Sequence, residues 1–460
     1  MTGSAFTQFM KKMAVDKLVK NIDTSSLEQK LSLWAETGEN KDIKTLTTVF
    51  TLGEKFLGFP SNILKESMKD CSVRKLFVNS LQGVQIYGYQ EPLRIRAPFS
   101  VVYNLSNVCN LKCKHCFQRA GEPLPDEMSD ERKLEVVKEL CEAGLSSITF
   151  SGGEPLMYPC FFDALRIAKS YNIFVSIDTN GTLIDKDMAL KLRENGLDYA
   201  QVSIDGINPE THDEFRGVKG SWEKAVQAIK NLNEVGVVTA VGVTLHKYNM
   251  DEVFELIDFS QELKSHRVVI FPIIPVGRAD EILEYDIDPQ TRWKLYKKLA
   301  EKIDETDIDI ICETPHFEVI TSQIKKAKKE DYKPVDGLCF PITTFFNASV
   351  KNAIVRPFLS IFGGCPAGRY YCNIQPNGIV SPCMFSPYEP VAGNVKDRSF
   401  MDIWDNSPLF NALRDAASIK ERCKSCKYYK VCGGGCRAYA YSTTKDALGP
   451  DKSCPFLKTN

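Results

Sequence analysis

The chain has no unbroken run of about 18 apolar residues, so hydropathy offers no membrane-spanning helix. Its first residues lack the charged, apolar, small-residue succession of an export signal. Neither charge is in surplus. With 58 Lys and Arg against 59 Asp and Glu, the net charge is −1, and no overall basic field points to nucleic acid. Internal repeats and low-complexity tracts are also missing. These absences leave a globular chain whose simplest address is the cytoplasm. At 460 residues, 43% of them hydrophobic, its length suits two or three domains.

What is abundant is cysteine, at 16 residues. In a secreted chain such a count would suggest disulfides, but here it comes without an export signal and in clusters. Cys109, Cys113 and Cys116 share one short stretch. Cys365, Cys372, Cys383, Cys423, Cys426, Cys432, Cys436 and Cys454 share the last hundred residues. Only Cys71, Cys141, Cys160, Cys312 and Cys339 are scattered. Short spacing in a cytosolic chain points to metal ligation.

Four segments are expected. Residues 1–98 read as a helical N-terminal subdomain, with apolar stripes at Phe6, Phe9, Met10, Met13, Leu18 and Ile22, then Leu27, Leu31 and Trp34, then Ile43, Leu46, Val49 and Phe50. Its 14 Lys and Arg against 10 Asp and Glu make it mildly basic. The stripes suit packing on the rest of the enzyme; peripheral contact with a membrane or lipid is the sharper alternative. Residues 99–279 alternate strand and helix, with strands expected at 99–105, 146–150, 173–177, 199–204, 238–245 and 268–271. One helix opens on Ser129 as N-cap, with Asp130 and Glu131 in its first turn. Another runs through Ala225, Ala228, Ile229 and Leu232. Six βα repeats give an α/β fold, a parallel sheet curved into a partial (β/α)6 barrel with its reactive groups at the C-terminal strand ends. Residues 280–362 form a bridge, with a helix-like stretch at 291–306 and a Lys-rich segment at 325–329. Residues 363–460 are poor in long periodic elements and need another staple, which metal clusters would supply.

Cys109-x3-Cys113-x2-Cys116 directly follows the first strand. Three thiolates on one loop can hold three irons of a four-iron cube and leave the fourth open to a small molecule. With this motif the chain resembles the radical S-adenosylmethionine (SAM) superfamily, and other positions agree. Gly152-Gly153-Glu154-Pro155 ends strand two, where the resemblance implies contact with the amino group of the cofactor's methionine. Thr179-Asn180 ends strand three and Ser203-Ile-Asp205 ends strand four, implied contacts to the ribose and methionine parts. Arg216 is the implied partner of the cofactor carboxylate, with a surface salt bridge as its plainer role. His115 reads as a packing residue. The implied chemistry is one-electron cleavage of SAM to a 5′-deoxyadenosyl radical, which abstracts hydrogen from an unactivated C–H bond.

The later cysteines, Cys365-x12-Gly378-x4-Cys383 and Cys423-x2-Cys426-x5-Cys432-x3-Cys436 with Cys454, resemble the SPASM signature of twin auxiliary clusters. The resemblance implies a nearer [4Fe–4S] cluster on Cys365, Cys372, Cys383 and Cys436 and an outer one on Cys423, Cys426, Cys432 and Cys454, three clusters in all. A tetrathiolate zinc knuckle on Cys423, Cys426, Cys432 and Cys436 is the competing assignment. Pro376-Asn377-Gly378 reads as a hairpin turn. The family further implies a flavodoxin or ferredoxin electron donor and an oxygen-avoiding host.

For the substrate, a lipid or isoprenoid chain is the leading expectation, on the N-terminal stripes and the apolar bridge at 340–346 and 358–362. A peptide or protein substrate, crosslinked or oxidised, is the alternative, and tetrapyrrole side-chain chemistry follows. Met384 stands after Cys383, where the sulfatase-maturing members of the family carry an Asp, which argues against oxidation of a Ser or Cys side chain by deprotonation. A non-catalytic electron carrier needs neither the Gly-Gly-Glu-Pro loop nor Arg216.

Overall fold

The computed structural model describes residues 92–323, 364–415 and 425–457, with 15–17, 19, 20, 22–37, 65, 68–90, 418, 419 and 423. Ten strands form one sheet: β1 (Ser100–Ser106), β2 (Ser147–Gly152), β3 (Phe174–Thr179), β4 (Tyr199–Ser203), β5 (Val238–Leu245), β6 (Arg267–Pro272), β7 (Asp309–Cys312), β8 (Tyr371–Ile374), β9 (Ile379–Ser381) and β10 (Gly393–Asn394). Their order is β10-β9-β8-β1-β2-β3-β4-β5-β6-β7, so the sheet curves without closing. The strands β1 to β7 run parallel and β8 joins β1 in the same sense. The six expected strands are β1 to β6. A seventh, β7, lies in the stretch read as a bridge, where four residues are too few to show periodicity.

Helices cover the outer face, so these strands bury both sides and read as nearly continuous apolar runs. All seven residues of β1 are buried. Residues such as Val101, Ile148, Ile177, Val202, Val243 and Ile270 face the helices. On the inner face Phe174, Tyr199, Ala240, Val269 and Ile311 plug the base of the barrel lumen. Beneath that plug, the Nε of Arg267 donates to Asp309 at 2.9 Å.

Among the helices, α1 (Leu27–Thr37) and α2 (Cys71–Tyr87) belong to the N-terminal segment. Leu27 and Leu31 are 1% and 0% exposed, turned into the common core. The stripes at 6–13, Leu18 and 43–50 lie outside the described residues, as do 325–329 and both apolar bridge stretches. Around the barrel run α3 (Asp130–Glu142), α4 (Phe161–Ser170), α5 (Lys186–Glu194), α6 (Pro209–Arg216), α7 (Ser221–Glu234), α8 (Val253–Glu262), α9 (Pro289–Lys302) and α10 (Pro315–Gln323). Ser129 caps α3 as expected, its Oγ accepting from the Arg132 N–H at 3.2 Å. The helix expected at 291–306 begins at Pro289 behind the N-cap Asp288 and ends in a 3-10 turn, Ile303–Glu305. Beyond the sheet come four short helices, α11 (Phe400–Asn406), α12 (Pro408–Arg414), α13 (Tyr429–Cys432) and α14 (Arg437–Thr444). Among the described residues no helix is long and apolar enough to cross a membrane.

Candidate functional site

Past β1 the chain enters the first cysteine loop. The Cys109 N–H donates to Gly121 O at 3.1 Å and the Gly121 N–H to Asn107 O at 2.9 Å, closing the loop on itself. It leans on the end of α6, where the Lys112 and Lys114 N–H groups donate to Arg216 O and Phe215 O at 3.1 and 2.9 Å. That approach requires Gly217. Its φ is 74°, and a Cβ there would stand 2.6 Å from Lys112 O.

Each thiol of the loop accepts a donor: Cys109 from the Leu111 N–H at 3.5 Å, Cys116 from the Ala120 N–H at 3.3 Å and Cys113 from Arg216 Nη1 at 3.8 Å. Burial pushes the Cys109 thiol up to about 12, only partly opposed by the Leu111 N–H. It also raises Cys113, against the pull of Arg216. Without metal, Cys109 and Cys113 therefore keep their protons. Ligation takes them as thiolates and releases their protons, and the N–H donors already aimed at sulfur help to carry the charge. Three neighbouring thiols with such donors fit a four-iron cube held at three corners.

Beside this loop lies Gly152-Gly153-Glu154. A Cβ on Gly153 would fall onto the Val108 carbonyl, which explains a glycine at this point. Glu154, 2% exposed, accepts from Thr179 Oγ1 at 2.7 Å, the Asn180 N–H at 2.9 Å and the Leu156 N–H at 3.3 Å. It thus ties the ends of β2 and β3 together. Burial lifts its carboxyl to about 7 despite those donors. Asn180 Nδ2 donates to Asn110 Oδ1 at 2.9 Å, linking β3 to the cysteine loop. Ser203 ends β4, half-buried, on the register line of Gly242.

Asp205 and Arg216 are joined inside the protein. Arg216 Nε donates to Asp205 Oδ2 at 2.6 Å, and Asp205 Oδ1 accepts from the Thr244 N–H at 2.7 Å. Burial alone would raise Asp205, but Arg216, His115, His212 and the Thr244 N–H bring it down to about 2. The surface salt bridge weighed for Arg216 is thus not what the fold makes, since its side chain is 10% exposed. His115 stacks on Phe215 at 4.1 Å and 15°, the packing role expected of it.

Sequence reasoning missed Arg278. Its Nε and Nη1 donate to Cys113 O and Ala120 O at 2.8 and 2.9 Å, strapping the cysteine loop from the far side of the barrel. The available cue was Gly277 just past β6: φ is 62°, and a Cβ would meet Cys116 O at 2.5 Å.

The C-terminal cysteines fall into two groups. Cys423, Cys426, Cys432 and Cys454 line one cavity of about 70 Å³, with Trp293, Tyr428 and Phe456 in its wall. Cys365, Cys383 and Cys436 are mutual electrostatic neighbours. Between Cys432 and Cys436 the chain turns through Gly433, Gly434 and Gly435, all at positive φ, which passes it from one group to the other. Cys436 stands with Cys365 and Cys383 and does not line the cavity of Cys423, Cys426 and Cys432, a grouping that suits two clusters better than a zinc knuckle on Cys423, Cys426, Cys432 and Cys436. The expected hairpin is present, with Asn373 opposite Ser381 and Gly378 at φ 84°.

Cys372 does not join the nearer group. Side chains alternate along β8. Tyr371 faces Cys383, its hydroxyl oxygen accepting from the Met384 N–H at 3.4 Å. Cys372 therefore points to the other face, fully buried in the hydrophobic core, with Arg414 as its charged neighbour. The spacing of the motif could not show which face of a strand an extra cysteine would take. Replacing Cys372 with serine is expected to leave iron content at the parent level, whereas Cys383→Ser loses about four irons per chain. Iron and sulfide assays on anaerobically reconstituted protein decide between them, and loss of iron from C372S would restore Cys372 to the ligand set.

The two cysteine regions meet across the lumen mouth. Phe385, two residues past Cys383, makes edge contacts with Phe117 at 5.2 Å and Phe271 at 5.9 Å, and Tyr388 Oη donates to Gln118 O at 3.1 Å.

Known proteins match this arrangement. The sequence profile of the Radical SAM superfamily matches residues 103–260, and that of an iron–sulfur cluster-binding domain, SPASM, matches residues 365–427. An AdoMet-dependent heme synthase of Methanosarcina barkeri is 31% identical over 364 residues, 78% of this chain and 97% of that protein. The mycofactocin maturase MftC of Mycolicibacterium smegmatis is 29% identical over 382 residues, 82% of this chain and 88% of that protein. In fold, the chain resembles Streptococcus suis SuiB bound to its precursor peptide SuiA, with a TM-score of 0.65, 19% identity and 93% of each chain covered.

Proposed function

This chain belongs to the radical SAM superfamily, with a SPASM domain behind the barrel, and on that premise we propose that it is a peptide-modifying maturase. The lipid or isoprenoid expectation gives way. The relatives above are named for haem, mycofactocin and a precursor peptide, none for a lipid. The observation that carries the reading is the polarity of the lumen below the aromatic mouth. Asp178, Gln201 and Glu313, each half-buried, lie on its inner face, on β3, β4 and just past β7, with Tyr371 of β8 beside the two acids. Burying an apolar chain, branched or not, against such groups would strip them of water without replacing its hydrogen bonds. A peptide replaces them.

In this reading Cys109, Cys113 and Cys116 hold the cluster that opens SAM. Gly152, Gly153, Glu154, Thr179, Asn180, Ser203, Asp205 and Arg216 form the surrounding SAM cradle. Bound there, the cluster and SAM supply a 5′-deoxyadenosyl radical. The protein's part is to hold the reacting carbon in place and keep water out. Cys365, Cys383 and Cys436 hold a nearer auxiliary cluster, and Cys423, Cys426, Cys432 and Cys454 an outer one. The segments 1–98, 99–279, 280–362 and 363–460 act as helical cover, barrel, bridge and electron-carrying domain. A flavodoxin or ferredoxin supplies the electron.

The test is deuterium transfer. A short peptide encoded beside the gene, labelled at its side-chain carbons, is expected to pass deuterium into 5′-deoxyadenosine in the presence of SAM and dithionite. The similarity to haem synthases favours a second reading, tetrapyrrole side-chain chemistry. Transfer from a labelled coproporphyrin and none from the peptide would install that reading instead.

A further inference from the structure

Among the described residues, two carboxylates inside the barrel have no ion-pair partner. Asp178 projects inward from β3, and its described partner is the amide Nε2 of Gln201 on the next strand, at 3.2 Å. Glu313 follows β7 directly, four strands away, and its buried Oε1 has no hydrogen-bond partner. The guanidinium that acts on Glu313, Arg267, lies below the lumen plug and is already paired with Asp309. Both acids are half-buried and so within reach of a ligand entering the lumen.

A third wall comes from β8. Tyr371, 9% exposed, lies in the electrostatic field of both acids. Among the described residues nothing accepts its hydroxyl proton. Gln375 shares the Tyr371 face of the β8–β9 hairpin, since Asn373 and Gln375 alternate with Cys372 and Ile374. It is 0% exposed, yet neither amide atom has a partner. A fully buried amide with no partner is costly unless something arrives to satisfy it.

We propose that Asp178, Glu313 and Tyr371, with Gln375 farther along the same β8 wall, form the specificity pocket for a cationic nitrogen of the substrate, held between the first cysteine loop and the nearer C-terminal cysteine group. This rests on the peptide reading, in which a lysine or arginine side chain or an amino terminus supplies that nitrogen. Two facing carboxylates with spare lone pairs match an ammonium or guanidinium group and repel a carboxylate. Burial, opposed by Arg267 and reinforced by Asp178, already pushes Glu313 up to about 8, and burial alone takes Asp178 to about 7. A bound cation would relieve that.

The probe is n-butylammonium, titrated calorimetrically into the anaerobically reconstituted, SAM-loaded full chain at mildly alkaline pH, with butyrate and butanol as comparisons. Butylammonium is expected to bind and the other two to bind at least about tenfold more weakly. The double variant Asp178→Asn, Glu313→Gln should lose about tenfold in butylammonium affinity while keeping the parent's iron content. Butyrate binding as well as butylammonium, no butylammonium binding by the parent, or unchanged affinity in a variant of full iron content would each overturn the proposal. The comparison of probes on the parent stands even if the double variant fails to fold. Deuterium transfer tests the peptide reading independently, so a peptide that donates deuterium while butylammonium fails to bind would sink the pocket alone.

Discussion

Alanine at Cys109, Cys113 and Cys116 together is expected to abolish the formation of 5′-deoxyadenosine from SAM and dithionite, to the level of the reagents without protein. About four irons per chain should go with it, and if both C-terminal clusters proposed above are present, about eight of about twelve remain. The loss should be complete because no other described thiol stands in this loop, whose Sγ atoms accept from Leu111, Ala120 and Arg216. Iron held by the C-terminal cysteines should survive, since Cys423, Cys426, Cys432 and Cys454 line a separate cavity on other elements. Product assay by chromatography and iron assay on the same sample separate the two effects. Deoxyadenosine made at the parent's rate by the triple variant would contradict the family chemistry assigned to this loop.

The second large effect is on stability. Asp205→Asn is expected to cost about 3–5 kcal/mol of folding free energy, because it leaves the Arg216 guanidinium buried without its counter-charge. Asp205 is 0% exposed, and its two oxygens serve Arg216 and the Thr244 N–H. An asparagine keeps the shape but offers an N–H to one donor in place of an acceptor. The damage should also reach the cysteine loop, since Arg216 donates to Cys113 through its side chain and accepts from Lys112 through its carbonyl. Denaturant unfolding of the variant measures the cost, and iron content measures the spread. A loss below about 1 kcal/mol would mean that the pair is solvated and weak, as surface pairs are.

The barrel and its cysteine loop were legible because each rests on local rules. Strands covered by helices keep their outward-facing residues apolar, so β1 to β6 stand out at nearly their true limits. The cap at Ser129 is a contact across three residues, and a motif such as Cys109-x3-Cys113-x2-Cys116 is written in one stretch of chain. Where the reading failed, the deciding contact was remote. Arg278 reaches the cysteine loop from 165 residues away. The four residues of β7 become a strand only by pairing with β6.

The sequence by itself determined the chemistry available to this protein: which thiols can leave an iron open, which glycines let backbones touch, and hence the family. The tertiary structure alone decided direction. Strand alternation turned Cys372 away from Cys383 and Tyr371 toward it, and brought Asp178 and Glu313, 135 residues apart in sequence (313 minus 178), to one lumen. A thiol's reactivity depends on its own atoms, whereas the company a side chain keeps depends on which face of which strand the folded sheet gives it.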